Sequence, residues 1–397
     1  MTDRWQAVKT IGIVSLLFIL LIGCSSTAAP DRSVLKTTLQ ARLDSLVVES
    51  GVPGITFAVA FGDADVIHLA GGVADLESHL PMKPTARMFG GSTGKIWVAA
   101  VALKLIEEGR FGLDDKVADY LGSQAWYADL PNGRDITVRN LLNHTTGIPR
   151  HVMKPALWVW IHEDPDRYPS KEQCLSYVAG DQPVHAVGAG WGYSDTNYIL
   201  LGLVIEAVTG ERYEDLLRTR ILAPYRLTLT EVQDSRVIAD LPSGYTGTDA
   251  PFSLPAKVPV DGKYPIHPLF EWQGGGLVGN VSDMARWARI LWGGRWLDKA
   301  MQEAMDSPVS LRTGESAERG WGLGVNVRLW QGHRVLSHGG IFPGYETFIA
   351  YFPDWDIAAA LQMNADRTSG RQKVSPAGGL IYMIQSVVSS LERTQEK

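Results

Sequence analysis

The segment Phe89-Gly90-Gly91-Ser92-Thr93-Gly94-Lys95 gathers the residues best placed for chemistry. Three templates compete for it. A phosphate loop needs a glycine five residues before Gly94 and a Ser or Thr after Lys95. Those positions hold Phe89 and Ile96, so that template fails at both ends. A nucleophile elbow, G-x-S-x-G, fits Gly90, Ser92 and Gly94. It also needs a strand directly before the serine and strand-helix units upstream. The chain offers a hairpin pattern and Pro81-Met82-Lys83-Pro84 there. The elbow, with a Ser92–Asp–His338 triad, stays as the minor alternative.

The third template is Ser-x-x-Lys. Three residues is nearly one helical turn, so Ser92 and Lys95 share a face at a helix N-terminus. A serine hydroxyl is a poor nucleophile until a base removes its proton. A desolvated lysine beside the positive helix end has a lowered pKa and can be that base. The Ser92 backbone N–H points outward there, as an oxyanion donor must. The chain also contains Ser33-Val34-Leu35-Lys36, which has the same spacing but no glycines to open the backbone. The segments downstream of Ser92 tell the two apart.

Downstream lie Gly192-Tyr193-Ser194-Asp195-Thr196-Asn197-Tyr198, before a helix, and Ser337-His338-Gly339-Gly340-Ile341, between two strands. With these three ordered motifs the chain resembles the serine β-lactamase-related hydrolases, the group of class C β-lactamases, DD-peptidases, D-aminopeptidases and related esterases. The flanks LLNHTTGIP (141–149), YSDTNYILLG (193–202) and GGGLVGNVSDMARWARIL (274–291) carry the same resemblance. It implies that Ser92 is the nucleophile, Lys95 its partner and Tyr193 the second-motif base, or the acid for the leaving group. It also implies that the Ser92 and Ile341 N–H groups form the oxyanion hole. His338, Gly339 and Gly340 then wall the substrate, with Asp195 beside it. The substrate is a small molecule, a peptide or an ester, and no cofactor or metal is implied.

Two positions depart from the family pattern. The second motif usually reads Tyr-x-Asn, and Asp195 replaces the Asn. An ionised carboxylate only accepts hydrogen bonds. It should also hold Lys95 as an ammonium. Tyr193, as a partial phenolate beside Lys95, is then the stronger base candidate, although either residue can fill the role. The third motif has His338 where β-lactamases carry Lys. A neutral imidazole attracts a substrate carboxylate less than an ammonium does. Peptidase or esterase action is therefore expected over efficient β-lactam hydrolysis, with a catalytically idle module that binds peptidoglycan or a partner as the non-enzyme alternative. Arg312-Thr313-Gly314 is a rival third motif, but the polar ESAERG after it is no strand. Gly274, Gly276 and Gly279 match a dinucleotide fingerprint without its strand-helix-strand setting. The histidines show no metal-ligand spacing.

These side chains need elements to hold them. Leucines 35, 39, 43 and 46 recur at helical spacing. Residues 55–73 read as a hairpin and 95–108 as a helix buried on all sides. Residues 114–290 are helix and loop in character, with good helices at 198–209 and 282–292. From residue 321 the pattern gives four strands, then a helix near 378–392. Strands at both ends and helices between predict an α/β (α+β) fold. One antiparallel sheet is formed by both chain ends and flanked by helices, with an inserted, mostly helical lobe. By resemblance this is β-lactamase/transpeptidase-like. The expected divisions are 34–113 with 291–392 for the sheet lobe and 114–290 for the inserted lobe.

With 37 basic and 43 acidic residues, the net charge of −6 argues against a nucleic-acid partner. Two cysteines, Cys24 and Cys174, are too few for a disulfide scaffold. Cys174 reads as a buried small apolar residue. Residues 1–10 carry Arg4 and Lys9, and 11–23 form an apolar run too short to span a bilayer. This is a secretory signal, 1–23, ending in Leu21-Ile22-Gly23-Cys24, which resembles a lipobox. Cys24 would be lipidated and 24–33 would be a tether. Ser25 after the cysteine favours the periplasmic face of the outer membrane. A soluble signal peptide cut near Thr27-Ala28-Ala29 is the alternative. The oligomeric state is left open.

Overall fold

The computed structural model describes residues 32–62, 65–249 and 251–395. The signal segment, Cys24 and most of the tether lie outside the described residues. Among the described residues no helix is long and apolar enough to cross a membrane.

The chain starts with helix α1 (Arg32–Ser50), whose buried residues include Leu35, Leu39, Leu43 and Leu46. Strands β1 (Gly54–Ala60) and β2 (Val66–Asp75) form the expected hairpin, and β3 (Leu80–Pro81) lies beside β2. Helix α2 (Lys95–Glu107) comes after the Ser92 turn, and nothing from Lys95 to Leu103 is exposed. After short helices come α3 (Thr196–Thr209) and α4 (Val281–Trp292). The last third holds β4 (Gly320–Trp321), β5 (Asn326–Trp330), β6 (His333–Phe342), β7 (Tyr345–Phe352), β8 (Ile357–Met363) and helix α5 (Pro376–Gln395).

All eight strands form one antiparallel sheet in the order β3-β2-β1-β8-β7-β6-β5-β4. The first and last parts of the chain meet where β1 pairs with β8, Ala58 opposite Ala360. Both strands are buried on both faces. One face presents small residues, Ala58, Ala60, Ala358 and Ala360, to the main core. α4 packs over β1, β7 and β8 there. Trp287 of α4 stacks on Trp97 of α2 with ring centroids 5.2 Å apart. The other face presents Ile55, Phe57, Val59 and Leu361 to α1 and α5. Burying each such leucine or phenylalanine contributes about 1.5–3 kcal/mol.

Three local readings change. The WGLGVNVRLW run is two strands, broken at Gly322–Val325, where Gly324 takes φ +79°. The 274–291 flank ends in α4, which covers the sheet rather than the inserted lobe. The inserted lobe also contains strands: Glu231–Val232 and Leu277–Gly279 join Met88–Phe89, and Gly244–Tyr245 pairs with Lys257–Val258. Pairs of two or three residues leave no alternation to read. Tertiary pairing creates them.

Candidate active site

Ser92 sits in a single 3-10 turn, Gly91–Gly94, that opens directly into α2. Gly91 has φ +52°, and a Cβ there would strike the backbone of Ile341 in β6. That close approach puts the turn against the strand. Lys95 opens α2 and is fully buried. Its ammonium reaches three acceptors: Ser92 Oγ at 3.2 Å, Asp195 Oδ1 at 2.7 Å and the Gly274 carbonyl. An ammonium has three protons and no lone pair, so this set satisfies it as a cation.

Asp195 stands at the N-terminus of α3 and is 1% exposed. Loop 144–151 locks this segment in place. Ser194 Oγ and Thr196 Oγ1 donate to the Pro149 carbonyl at 3.0 and 2.9 Å, and the Ser194 N–H donates to His144 Nδ1. The same loop supplies a residue that the sequence did not single out. Arg150 grips Asp195 Oδ2 through Nε at 2.9 Å and a terminal amine at 2.8 Å. Both oxygens of Asp195 are thus held by cations. The residue is a buried counter-ion to Lys95 and Arg150. Glu271 is the second unforeseen group. It is buried beside Gly275, with Oε2 lacking any partner in the protein.

The ring of Tyr193 lies 5.0 Å from Lys95 Nζ, and Arg150 lies 5.3 Å away. Its hydroxyl is buried and makes no well-formed hydrogen bond. His338 is 1% exposed on β6, and its Nδ1 is 2.7 Å from the Gly339 carbonyl. A carbonyl only accepts, so Nδ1 carries the proton and Nε2 keeps a bare lone pair. Trp321 is edge-on to both residues, with centroids 5.5 Å from Tyr193 and 5.2 Å from His338. Gly339 is exposed. Gly340 instead packs against the Gly90 carbonyl and the Thr93 N–H, where a side chain would collide.

Burial by itself would lower the Lys95 pKa, but Asp195, then Tyr193 and Glu271, outweigh it and drive it upward. Burial would raise Asp195, yet Lys95 and Arg150 hold it well below the carboxylate range. The lysine is therefore an ammonium, as the Asp195 substitution suggested. The phenolate expectation fails. Burial raises the Tyr193 pKa, the Lys95 charge only partly offsets that, and Asp195 adds to it. Tyr193 rests as a neutral phenol. Burial, then the repulsion of Asp195, pushes Glu271 up to about 8. Burial, then Lys95, pulls His338 down to about 3, so its imidazole is neutral. At neutral pH the cluster holds two cations, the buried Lys95 and the part-exposed Arg150, with one carboxylate and one carboxylic acid. Its net positive charge suits a developing oxyanion.

β6 and β7 are joined by the two-residue turn Pro343-Gly344, with Phe342 opposite Tyr345. In such a hairpin the flanking pair is hydrogen bonded and the next pair is not. The Ile341 N–H therefore points away from β7, on the side where β5 has already ended. It emerges beside Gly91 and Ser92, as an oxyanion donor should. Next to Tyr193 a cavity of about 720 Å3 is lined by Ile148, Pro149, Arg150, His185 and Trp191. That is the size of a small-molecule site. Cys174 is buried with its Sγ toward the Phe270 carbonyl, and burial raises its thiol pKa. It takes no part here.

Comparison with known proteins gives the same frame. The β-lactamase family profile matches residues 36–380. Penicillin-binding protein 4 of Amycolatopsis lactamdurans is 29% identical over 338 residues, 82% of this chain and 84% of that protein. The D-aminopeptidase of Brucella anthropi is 28% identical over 295 residues, 74% of this chain. This chain spans about half, 52%, of that enzyme's length. The D-stereospecific amidohydrolase from a Streptomyces species superposes with a TM-score of 0.70 at 28% identity, covering 86% of this chain and 96% of that one.

Proposed function

The chain belongs to the β-lactamase family and is a serine hydrolase, and on that premise we propose that it cleaves small amides of D-amino acids or D-peptides through an acyl-enzyme on Ser92. The observation that carries this reading is the contact of Lys95 Nζ with Ser92 Oγ at 3.2 Å, with the buried Tyr193 hydroxyl beside both of them. The names of the relatives, D-aminopeptidase and D-stereospecific amidohydrolase, support the substrate class.

In the resting site both Lys95 and Tyr193 hold their protons. The reactive form has one proton fewer on that pair. Lys95 and Tyr193 together then accept the Ser92 proton as Oγ attacks the carbonyl carbon. The C–O bond forms, the carbonyl π electrons move to oxygen, and the Ser92 and Ile341 N–H groups hold the oxyanion. Collapse breaks the C–N bond, and Tyr193 returns the proton to the leaving nitrogen. Water then attacks the acyl-Ser92 ester by the reverse proton path. An ester substrate would use the same groups, with an alcohol leaving. The neutral His338 offers no fixed cation for a substrate carboxylate, which disfavours efficient β-lactam turnover. Lipidated at Cys24, the enzyme would work at the cell envelope, on the periplasmic face of the outer membrane.

Intact-mass spectrometry tests the proposal. Incubation with a fluorophosphonate, a penicillin, D-amino-acid amides and short esters should add one adduct or acyl mass, absent in Ser92→Ala. Lys95→Ala should cut kcat by several orders of magnitude. If wild type takes no adduct from any member of the panel, the fold is catalytically idle. If Lys95→Ala retains full activity, the alternative triad is in use.

A further inference from the structure

The charges around Ser92 bear on the state of the substrate's amino group. Lys95 is a buried ammonium 3.2 Å from Ser92 Oγ. The α-nitrogen of an amino-acid amide is two bonds from the carbonyl carbon that Ser92 attacks. Bond lengths therefore bring it within ~7 Å of Lys95 Nζ, whichever way the rest of the substrate lies. Below its ordinary pKa of about 8, a free amine there is a second ammonium. The groups that face it give it no partner. Asp195 is the one ionised carboxylate of the cluster, and Lys95 and Arg150 already hold both its oxygens. Glu271 rests as a neutral acid, Tyr193 as a neutral phenol and His338 as a neutral imidazole. One positive charge is left over.

The cavity of about 720 Å3 begins at the same residues. Tyr193 and Arg150 are two of its walls, and contacts of 2.8, 2.7 and 3.2 Å link Arg150 to Ser92 Oγ through Asp195 and Lys95. Arg150 uses Nε and one terminal nitrogen on Asp195. Among the described residues its other terminal nitrogen has no partner, and the side chain is 40% exposed. No carboxylate lines the cavity. Lys154 on its wall is paired with Asp181 at 2.5 Å. His185 turns Nδ1 to the Ala186 carbonyl at 2.8 Å, and its Nε2 is buried beside Gly192. Ile148, Pro149, Met153 and Val184 make the remaining wall largely apolar.

We propose that the enzyme takes D-amino-acid amides whose amino group is acylated, with the acyl group in this cavity and its carbonyl oxygen on Arg150. The proposal rests on the hydrolase reading and narrows its substrate class. Acylation removes the ammonium, supplies the acceptor that the free Arg150 nitrogen lacks, and adds an apolar body that suits the walls. An acylated residue extends ~7 Å beyond the scissile carbonyl, which matches the length of the tyrosine side chain between Ser92 and the cavity.

Steady-state kinetics should compare D-phenylalanine amide with its N-acetyl and N-phenylacetyl forms. D-phenyllactamide, with a neutral hydroxyl in place of the amine, isolates the charge. At pH 6 the hydroxy and acetyl compounds should exceed the free amine in kcat/KM by about ten-fold or more, the scale of a like-charge pair at ~7 Å. The gap should narrow at pH 9.5, where the amine is neutral and Glu271 is ionised. Phenylacetyl should gain about ten-fold over acetyl. Arg150→Met should lower the acetyl-over-hydroxyl ratio by about ten-fold, the scale of a charged hydrogen bond, and Arg150→Lys should restore part of it. A free amine that matches the hydroxy and acetyl compounds at pH 6 overturns the proposal and leaves the hydrolase standing. So does a phenylacetyl form no better than acetyl, or a folded Arg150→Met that keeps the full ratio. If no amide is cleaved, the hydrolase reading fails separately, and calorimetric titration of the wild type at pH 6 decides. Tighter binding of the N-acetyl amide than of the free amide supports the proposal, and equal or weaker binding overturns it.

Discussion

Asp195→Asn is the most informative single change in this site. The substitution keeps an oxygen for Lys95 to donate to and removes the charge. Lys95 Nζ and Asp195 Oδ1 are 2.7 Å apart with both side chains buried. At an effective dielectric of about 20, a pair even at 4 Å is worth about 4 kcal/mol. That is about three pKa units. Removing it lets burial dominate the Lys95 pKa, which falls. The Tyr193 pKa falls too, because Asp195 pushes it upward in the native protein. Whichever of the pair loses the proton, the acidic limb of the kcat/KM profile should move to lower pH by about three units. Stability should drop by about 3–5 kcal/mol, since Lys95 and Arg150 lose a buried counter-ion. The pH dependence of folding changes as well. A carboxylate held below its ordinary 3.8 contributes stability above that pH and loses it as pH falls toward the folded value. The Asn variant lacks this acid-side loss. Hydrolysis of a D-amino-acid amide across pH, with urea unfolding at matched pH, reads both effects. An acidic limb that stays in place or moves upward in a folded variant would refute the reasoning.

Glu271 should give the opposite pH signature. Its folded pKa of about 8 exceeds the ordinary 4.5, so the neutral acid is favoured in the fold, and stability is fully present below 4.5 and lost as pH rises to about 8. Glu271→Gln should flatten that part of the unfolding free-energy profile, and an unaltered slope would count against a buried neutral acid. Gly91→Ala forces a side chain into φ +52° and onto Ile341. It should cost about 1–3 kcal/mol in stability. By displacing the oxyanion donors it should also cut kcat about 100-fold; native-level turnover would contradict the placement of Ile341. His338→Gln keeps a polar group but removes the bare Nε2 lone pair. If that lone pair only shapes the pocket, KM should rise while the acidic limb stays where it is, as steady-state kinetics across pH will report.

Much of the site was legible because it is local. Ser92 and Lys95 are one turn apart, so helical geometry alone puts them on a shared face. The uninterrupted apolar run of α2 announced its burial, and the alternating runs after residue 321 announced the sheet. Tyr193 and His338 stood out through the order of motifs, although nothing in their spacing gives their protonation.

The sequence alone therefore determined the chemical types, the turn that presents Ser92, the burial of α2 and the joining of the chain ends in one sheet, all consequences of contacts within a few residues or of periodic patterning. Folding decided the rest. Arg150 and Glu271 come from segments 55 residues after and 176 residues after Lys95, with no periodicity linking them to it. Only their convergence fixes Asp195 as a counter-ion, Lys95 as an ammonium and Tyr193 as a neutral phenol. A pKa or a binding field depends on distance and desolvation in three dimensions, and a linear chain specifies neither until it has folded.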